Sequence, residues 1–219
     1  MVNDENACAD DRPHRRKLTE ADFRRVNVGK AFWGSRTDHI QHDETRDVIL
    51  RYRKNIESMI KTGSGLIFLG PPGVGKTSAA VCIVKEAIVA RYSVYFATHA
   101  EMRELRFSRR DELFGDGTDG ITIAKKVEIA DLLVLDGFNE PFFTDKVFGP
   151  LQLEELLVYR SSRKLTTMMT TRSGATLKKE EFTDLFEQIS QCMVPLNMGG
   201  KNMRDDDRKK LSVRVLGGR

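Results

Sequence analysis

Gly70-Pro71-Pro72-Gly73-Val74-Gly75-Lys76-Thr77 sets glycines, a lysine and a threonine in the spacing G-x-x-x-x-G-K-[ST]. Glycines let successive backbone N–H groups turn inward around an anion, and a helix opening at that point adds partial positive charge. Lys76 would reach the outer phosphates of a nucleotide, Thr77 would offer its hydroxyl to Mg²⁺, and Ser78 continues the helix start. The chemistry is phosphate binding. The pattern gains meaning only between a strand and a helix, and Leu66–Leu69 before it and Thr77–Ala90 after it have those compositions.

A magnesium-bound nucleotide needs a carboxylate at the end of a later buried strand. Leu132-Leu133-Val134-Leu135-Asp136 supplies four apolar residues and then an acid. Alone, Asp136 would sooner be read as an acid closing a strand at a turn. Together with the loop it reads as the residue that orients Mg²⁺ and its water ligands.

The elements that must hold these groups follow from periodicity. Val48, Ile49, Tyr52, Ile56, Met59 and Ile60 recur at spacings of three and four, predicting an amphipathic helix from Thr45 to the Gly63 and Gly65 pair. Val94–Ala97 reads as a second strand, 100–110 as a helix, 114–120 as a surface loop and 121–129 as a further helix. Leu151–Tyr159 has a helical pattern, Leu165–Thr171 a β-prone one and 177–189 a helical one again; Met193–Leu196 can supply a last strand. Strands alternating with helices at this spacing predict a three-layer α/β domain with a mainly parallel sheet, because parallel strands need crossover connections.

Composition sets the outer bounds. The 219 residues carry 36 Lys and Arg against 32 Asp and Glu, with 40% of positions apolar and 31% charged. That excludes wholesale disorder and a disulfide-stapled miniprotein. Residues 201–219 hold seven basic and three acidic side chains, so the +4 excess sits entirely in a tail around Asp205–Asp207. No apolar run approaches the roughly 20 residues that cross a bilayer, and no secretory signal is read at the start, so the expected location is cytoplasmic. Cys8, Cys82 and Cys192 lack ligand spacing; burial is expected for the latter two.

With these residues in place the chain resembles the DnaC/DnaI-type replicative helicase loaders and the related IstB transposition ATPases, both of the AAA+ class. The resemblance runs from about Phe23 to Arg204. It takes in the Gly63–Thr77 block, Tyr92–Phe96, Ala130–Asp136 and the Tyr159-Arg160-Ser-Ser-Arg163-Lys164 run before a threonine-rich strand. It implies a P-loop NTPase with a five-stranded AAA+ core, ATP or ADP with Mg²⁺ as ligands, a replicative DNA helicase and single-stranded DNA as partners, and self-association on ATP. The organisation expected is a flexible arm at 1–22, an ATP-binding domain at 23–200 and a basic tail at 201–219.

The departures are specific. Gly137 stands where the family has a second acid that polarises the attacking water, and Glu140 is the nearest substitute. Arg172 follows Thr171 where a polar sensor is usual, and could contact a γ-phosphate or form a surface ion pair. Ser190-Gln191 aligns with the Ser-Arg pair that carries the arginine finger, and Arg204 is the candidate last arginine near the nucleotide. Slow hydrolysis is therefore expected. With about 22 residues before the resemblance begins, the helicase-gripping domain that loaders carry is not expected in this sequence. The arm is expected either to bind a partner as a short segment or to flank a stand-alone module. Arg103, Arg106, Arg109 and Arg110 would form a basic stripe for DNA phosphates, or a solvated helix face matched by nearby acids. Trp33 beside Phe32 reads as packing, against the domain or near adenine, rather than base stacking. Two other functions remain open: a nucleotide-gated partner or competitor of a true loader, and, less favoured, a P-loop small-molecule kinase.

Overall fold

The computed structural model describes residues 16–103, 123–139, 149–172, 183–200 and 202. Five strands form one sheet: β1 Gly65–Leu69, β2 Val94–Thr98, β3 Leu132–Asp136, β4 Thr166–Thr171 and β5 Met193–Asn197. Their spatial order is β2-β3-β4-β1-β5, and every pairing is parallel. The sheet is the predicted one.

The helices that accompany it include α1 Glu20–Arg25, α2 Asp43–Lys54, α3 Ile56–Thr62, α4 Lys76–Val89, α5 Ile123–Ile129, α6 Pro150–Ser161 and α7 Thr183–Cys192. Side chains of alternating strand residues serve opposite faces. Leu66, Phe68, Phe96, Leu132, Val134 and Met168 pack with α2, α3 and α4. Ile67, Tyr95, Leu133, Leu135 and Met169 pack with α5, α6 and α7. Burial on both faces explains why β1 and β3 read as unbroken apolar runs.

Two local expectations change. The helix predicted from Thr45 to Gly63 is two helices, broken at Asn55, whose φ of −107° and ψ of 25° leave the helical region while its side chain donates to the Arg51 carbonyl at 2.9 Å. Cys82 is buried as expected, but Cys192 is only half-buried, because it closes α7 at the margin of the sheet. The helix predicted over 100–110 is seen at 99–103; its remainder, the 114–120 loop and the start of the 177–189 helix lie outside the described residues.

The segment before α2 is built into the domain. The Phe96 N–H donates to the Val26 carbonyl at 3.0 Å, and Asn27, left-handed at φ 63°, donates from Nδ2 to the Phe96 carbonyl at 2.9 Å. The outer edge of β2 is thereby covered, which removes a template for unwanted pairing. Trp33 stacks on Phe23 at 5.5 Å and donates to the Val28 carbonyl at 2.8 Å, so its role is packing. Further on, Lys85 of α4 donates to the Ser35 carbonyl at 2.6 Å, and Arg53 of α2 bridges Thr37 at 2.6 Å and the buried Glu86 at 3.3 Å. These bonds fix residues 35–37 against the helix that begins at the phosphate loop.

Candidate functional site

The C-terminal ends of β1, β3 and β4 lie side by side: Leu69 is in register with Thr171, and Leu135 with Met169. In an open parallel sheet this edge is where ligands bind. Gly70 continues directly from β1, and α4 begins at Lys76 after the glycine turn. A pocket of about 480 Å³ opens there, floored by Gly73, Gly75, Lys76, Thr77 and Ser78. Ala31 and Phe32 also line it, as do Asp136, Gly137, Asn139, Thr170 and Arg172.

Within the loop, Lys76 Nζ donates to the carbonyls of Gly70 and Pro71, both at 2.7 Å, which holds the ammonium across the loop. Pro72 lines the pocket, whereas Val74 is turned inward and is 2% exposed. Gly73, at φ +81°, has no room for a side chain: a Cβ there would overlap the Asn202 amide. Residues beyond β5 thus pass against the phosphate loop, and the Met198 N–H donates to the Leu69 carbonyl at 2.7 Å.

Asp136 meets the loop directly. Thr77 Oγ1 donates to Asp136 Oδ1 at 2.9 Å, joining residues that the sequence separates by 59 positions. Thr170 Oγ1 donates to the same oxygen at 2.7 Å and accepts the Gly137 N–H at 2.9 Å. Asn139 ties the ends of two strands: its Oδ1 accepts the Arg172 N–H at 3.0 Å, and its Nδ2 donates to the Gly137 carbonyl at 2.9 Å. Thr170 and Asn139 were not read as site residues from the sequence. Their signal is register, since they lie at adjacent strand ends, and register is invisible in one chain.

Gly137 adopts φ +81°, where an L side chain is strained. The place of the family's second acid is thus a left-handed turn anchored to Thr170. Phe138 follows, fully buried and 5.4 Å from the His99 ring, and its N–H donates to the Thr170 carbonyl at 3.0 Å. Arg172 lines the pocket with an exposed side chain. Ser190 and Gln191 are exposed on the last turn of α7, and Arg103 is exposed at the end of the 99–103 turn. Glu140, Arg106, Arg109, Arg110 and Arg204 lie outside the described residues.

The donor set fits magnesium held jointly with a nucleotide. Among the described residues no group of three His, Cys, Asp or Glu side chains could hold an ion alone. One carboxylate and one hydroxyl beside a phosphate loop are the usual protein share when substrate phosphates and water complete the shell. No helix among the described residues is long and apolar enough to cross a membrane.

A phosphate loop leaving β1, an aspartate ending β3 and the order β2-β3-β4-β1-β5 define an AAA+-type P-loop protein. Residues 1–143 match the family model described as IstB-like ATP binding protein, and the chain belongs to that family. It is 27% identical over 139 residues to the replicative helicase loader DnaC of Escherichia coli (strain K12), which covers 64% of this chain and 53% of that protein. It is also 27% identical over 157 residues to an insertion sequence IS21-like ATP-binding protein of Bacteroides fragilis, covering 67% of this chain and 55% of that one. The chain therefore spans about half the length of each of these relatives. The crystal structure of the DnaC helicase loader superposes with a TM-score of 0.65 at 22% identity, over 78% of this chain and 100% of that chain, a likeness of fold.

Proposed function

We propose that the chain binds ATP with Mg²⁺ in the pocket at the end of β1 and uses nucleotide state to control a client on single-stranded DNA, as a helicase loader does. The observation that carries this reading is the 2.9 Å bond from Thr77 to Asp136 at the mouth of the glycine loop. The backbone N–H groups of Gly73–Ser78 would enclose the β and γ phosphates, with Gly70, Pro71 and Pro72 shaping the loop, and Lys76 would neutralise their charge. Thr77 and Asp136 would hold Mg²⁺, which supplies charge compensation at the phosphate oxygens when bound. Ala31 and Phe32 give the pocket an apolar wall suited to the adenine base.

Hydrolysis would be slow. The attacking water forms its bond to the γ-phosphorus while the bond to the bridging oxygen breaks, and its proton needs an acceptor. Gly137 supplies none; Glu140 is the proposed base and Arg172 the proposed contact to the γ-phosphate. Arg204 is a second candidate for that contact. Arg103, Arg106, Arg109 and Arg110 are the proposed DNA stripe. It starts just past Thr98, which is in register with Asp136, so nucleotide and DNA contacts would share one end of the sheet. A replicative helicase, self-association on ATP, a cytoplasmic location and the 1–22, 23–200 and 201–219 division belong to the same reading.

The family match favours a second reading, an ATP-gated partner of a transposition enzyme. ATP binding and phosphate release, measured with and without single-stranded DNA for the wild type, Lys76→Ala and Glu140→Gln, test both steps. DNA-stimulated turnover lost in both variants supports the loader-type ATPase. ATP binding without phosphate release assigns a nucleotide-gated binding protein, and no ATP binding overturns the proposal.

A further inference from the structure

Thr170 sits on β4, not on either element that carries the nucleotide motifs, yet its hydroxyl has no freedom. It is 2% exposed and lies between two partners. A hydroxyl has one proton and two lone pairs. The Gly137 N–H can only donate, so it takes a lone pair at 2.9 Å, and the proton is left for Asp136 Oδ1 at 2.7 Å. An ionised carboxylate only accepts. Asp136 Oδ1 therefore receives two hydroxyl donors from different elements, Thr77 on α4 and Thr170 on β4. Two donors on one oxygen fix the rotation of the carboxylate about its own axis, which a single donor does not.

From this geometry we infer that Thr170 is a positioning residue for the magnesium carboxylate, setting the orientation of Asp136 and the Gly137 turn through one hydroxyl. The inference rests on the ATP and Mg²⁺ reading of the site. Outer groups that orient a metal-binding side chain commonly alter metal affinity by about 10–100-fold when removed. Thr171 provides an internal control: it is the next residue of the same strand, equally buried, and its Oγ1 makes no hydrogen bond.

The test is a magnesium titration of N-methylanthraniloyl-ATP binding to the full chain, with binding in EDTA measured beside it. For Thr170→Val the half-saturating Mg²⁺ concentration should rise about tenfold. Affinity in EDTA should stay within about twofold of the wild type, because the phosphate loop is untouched. Thr170→Ser should restore the wild-type magnesium dependence, and Thr171→Val should match the wild type. Should Thr170→Val fail to fold, as judged by circular dichroism, Thr170→Cys keeps the volume with a weaker donor and carries the same comparison. A Thr170→Val protein with wild-type magnesium dependence overturns the inference alone. Equal losses in EDTA and in Mg²⁺ also overturn it, since they assign Thr170 to packing. A wild type that binds without magnesium dependence overturns the magnesium reading of the site, and this inference with it.

Discussion

Thr77 and Asp136 share a hydrogen bond of 2.9 Å although α4 and β3 meet only through the fold. A double-mutant cycle with Thr77→Val and Asp136→Asn, read by the free energy of magnesium-dependent nucleotide binding, should give a coupling of about 1.5–3 kcal/mol. Additive losses in isothermal titration would show that the two side chains act independently.

Arg160 is fully buried at the end of α6, and its guanidinium donates to the carbonyls of Val127, Glu128, Ala130 and Thr166 and to Thr167 Oγ1 at 2.6–3.1 Å. Burial pushes its pKa down to about 10, which leaves it charged at neutral pH. The carbonyls of Val127 and Glu128 belong to the last turn of α5, where a helix favours a cation. Arg160→Met strips the donor from all five acceptors at once and should cost about 3 kcal/mol or more in urea denaturation. Arg160→Lys should recover only part of that loss, since a point ammonium does not reproduce the fork.

Gly137→Glu would put an acid where the family resemblance expects one. The φ of +81° makes that placement strained, by about 1–2 kcal/mol for a left-handed non-glycine residue. The expected result is a lower urea midpoint with no faster phosphate release. Accelerated release would show that the turn can rearrange to place a base.

Tyr52 is buried on α2 and its hydroxyl donates to the Ser64 carbonyl. Desolvation raises its pKa above the ordinary value of 10.0, and Cys82 is raised above 9.0 for the same reason. The folded state keeps protons that the unfolded chain releases, so this stability is complete below about pH 9 and is lost progressively as pH rises past those ordinary values toward the raised folded-state ones. Urea midpoints between pH 8 and 11 should fall with rising pH. Tyr52→Phe should start about 1 kcal/mol lower at neutral pH and decline less steeply.

The sheet was legible in the sequence because strands buried on both faces need runs such as Leu132–Leu135, and the phosphate loop because glycine, lysine and threonine are constrained by chemistry. The break at Asn55 was not, since Tyr52, Ile56 and Ile60 keep a helical spacing across it. Thr170 read as one β-prone residue among several; only parallel register brings it to Asp136. Phe32 and Trp33 looked alike as neighbouring aromatics, and the fold separates them, one into the pocket wall and one onto Phe23.

The strand that carries the phosphate loop takes both of its neighbours from the far part of the chain: Ile67 lies opposite Met169 on one side and Pro195 on the other. A ribosome making this protein releases the loop and α4 long before either partner exists, with residues 90–165 still to come before the first. Until then β1 has only the helical layer of α2, α3 and α4 on one face and no hydrogen-bonded neighbour in the sheet. The nucleotide pocket is thus a late product of synthesis, completed only when β4 and β5 arrive on the two sides of β1.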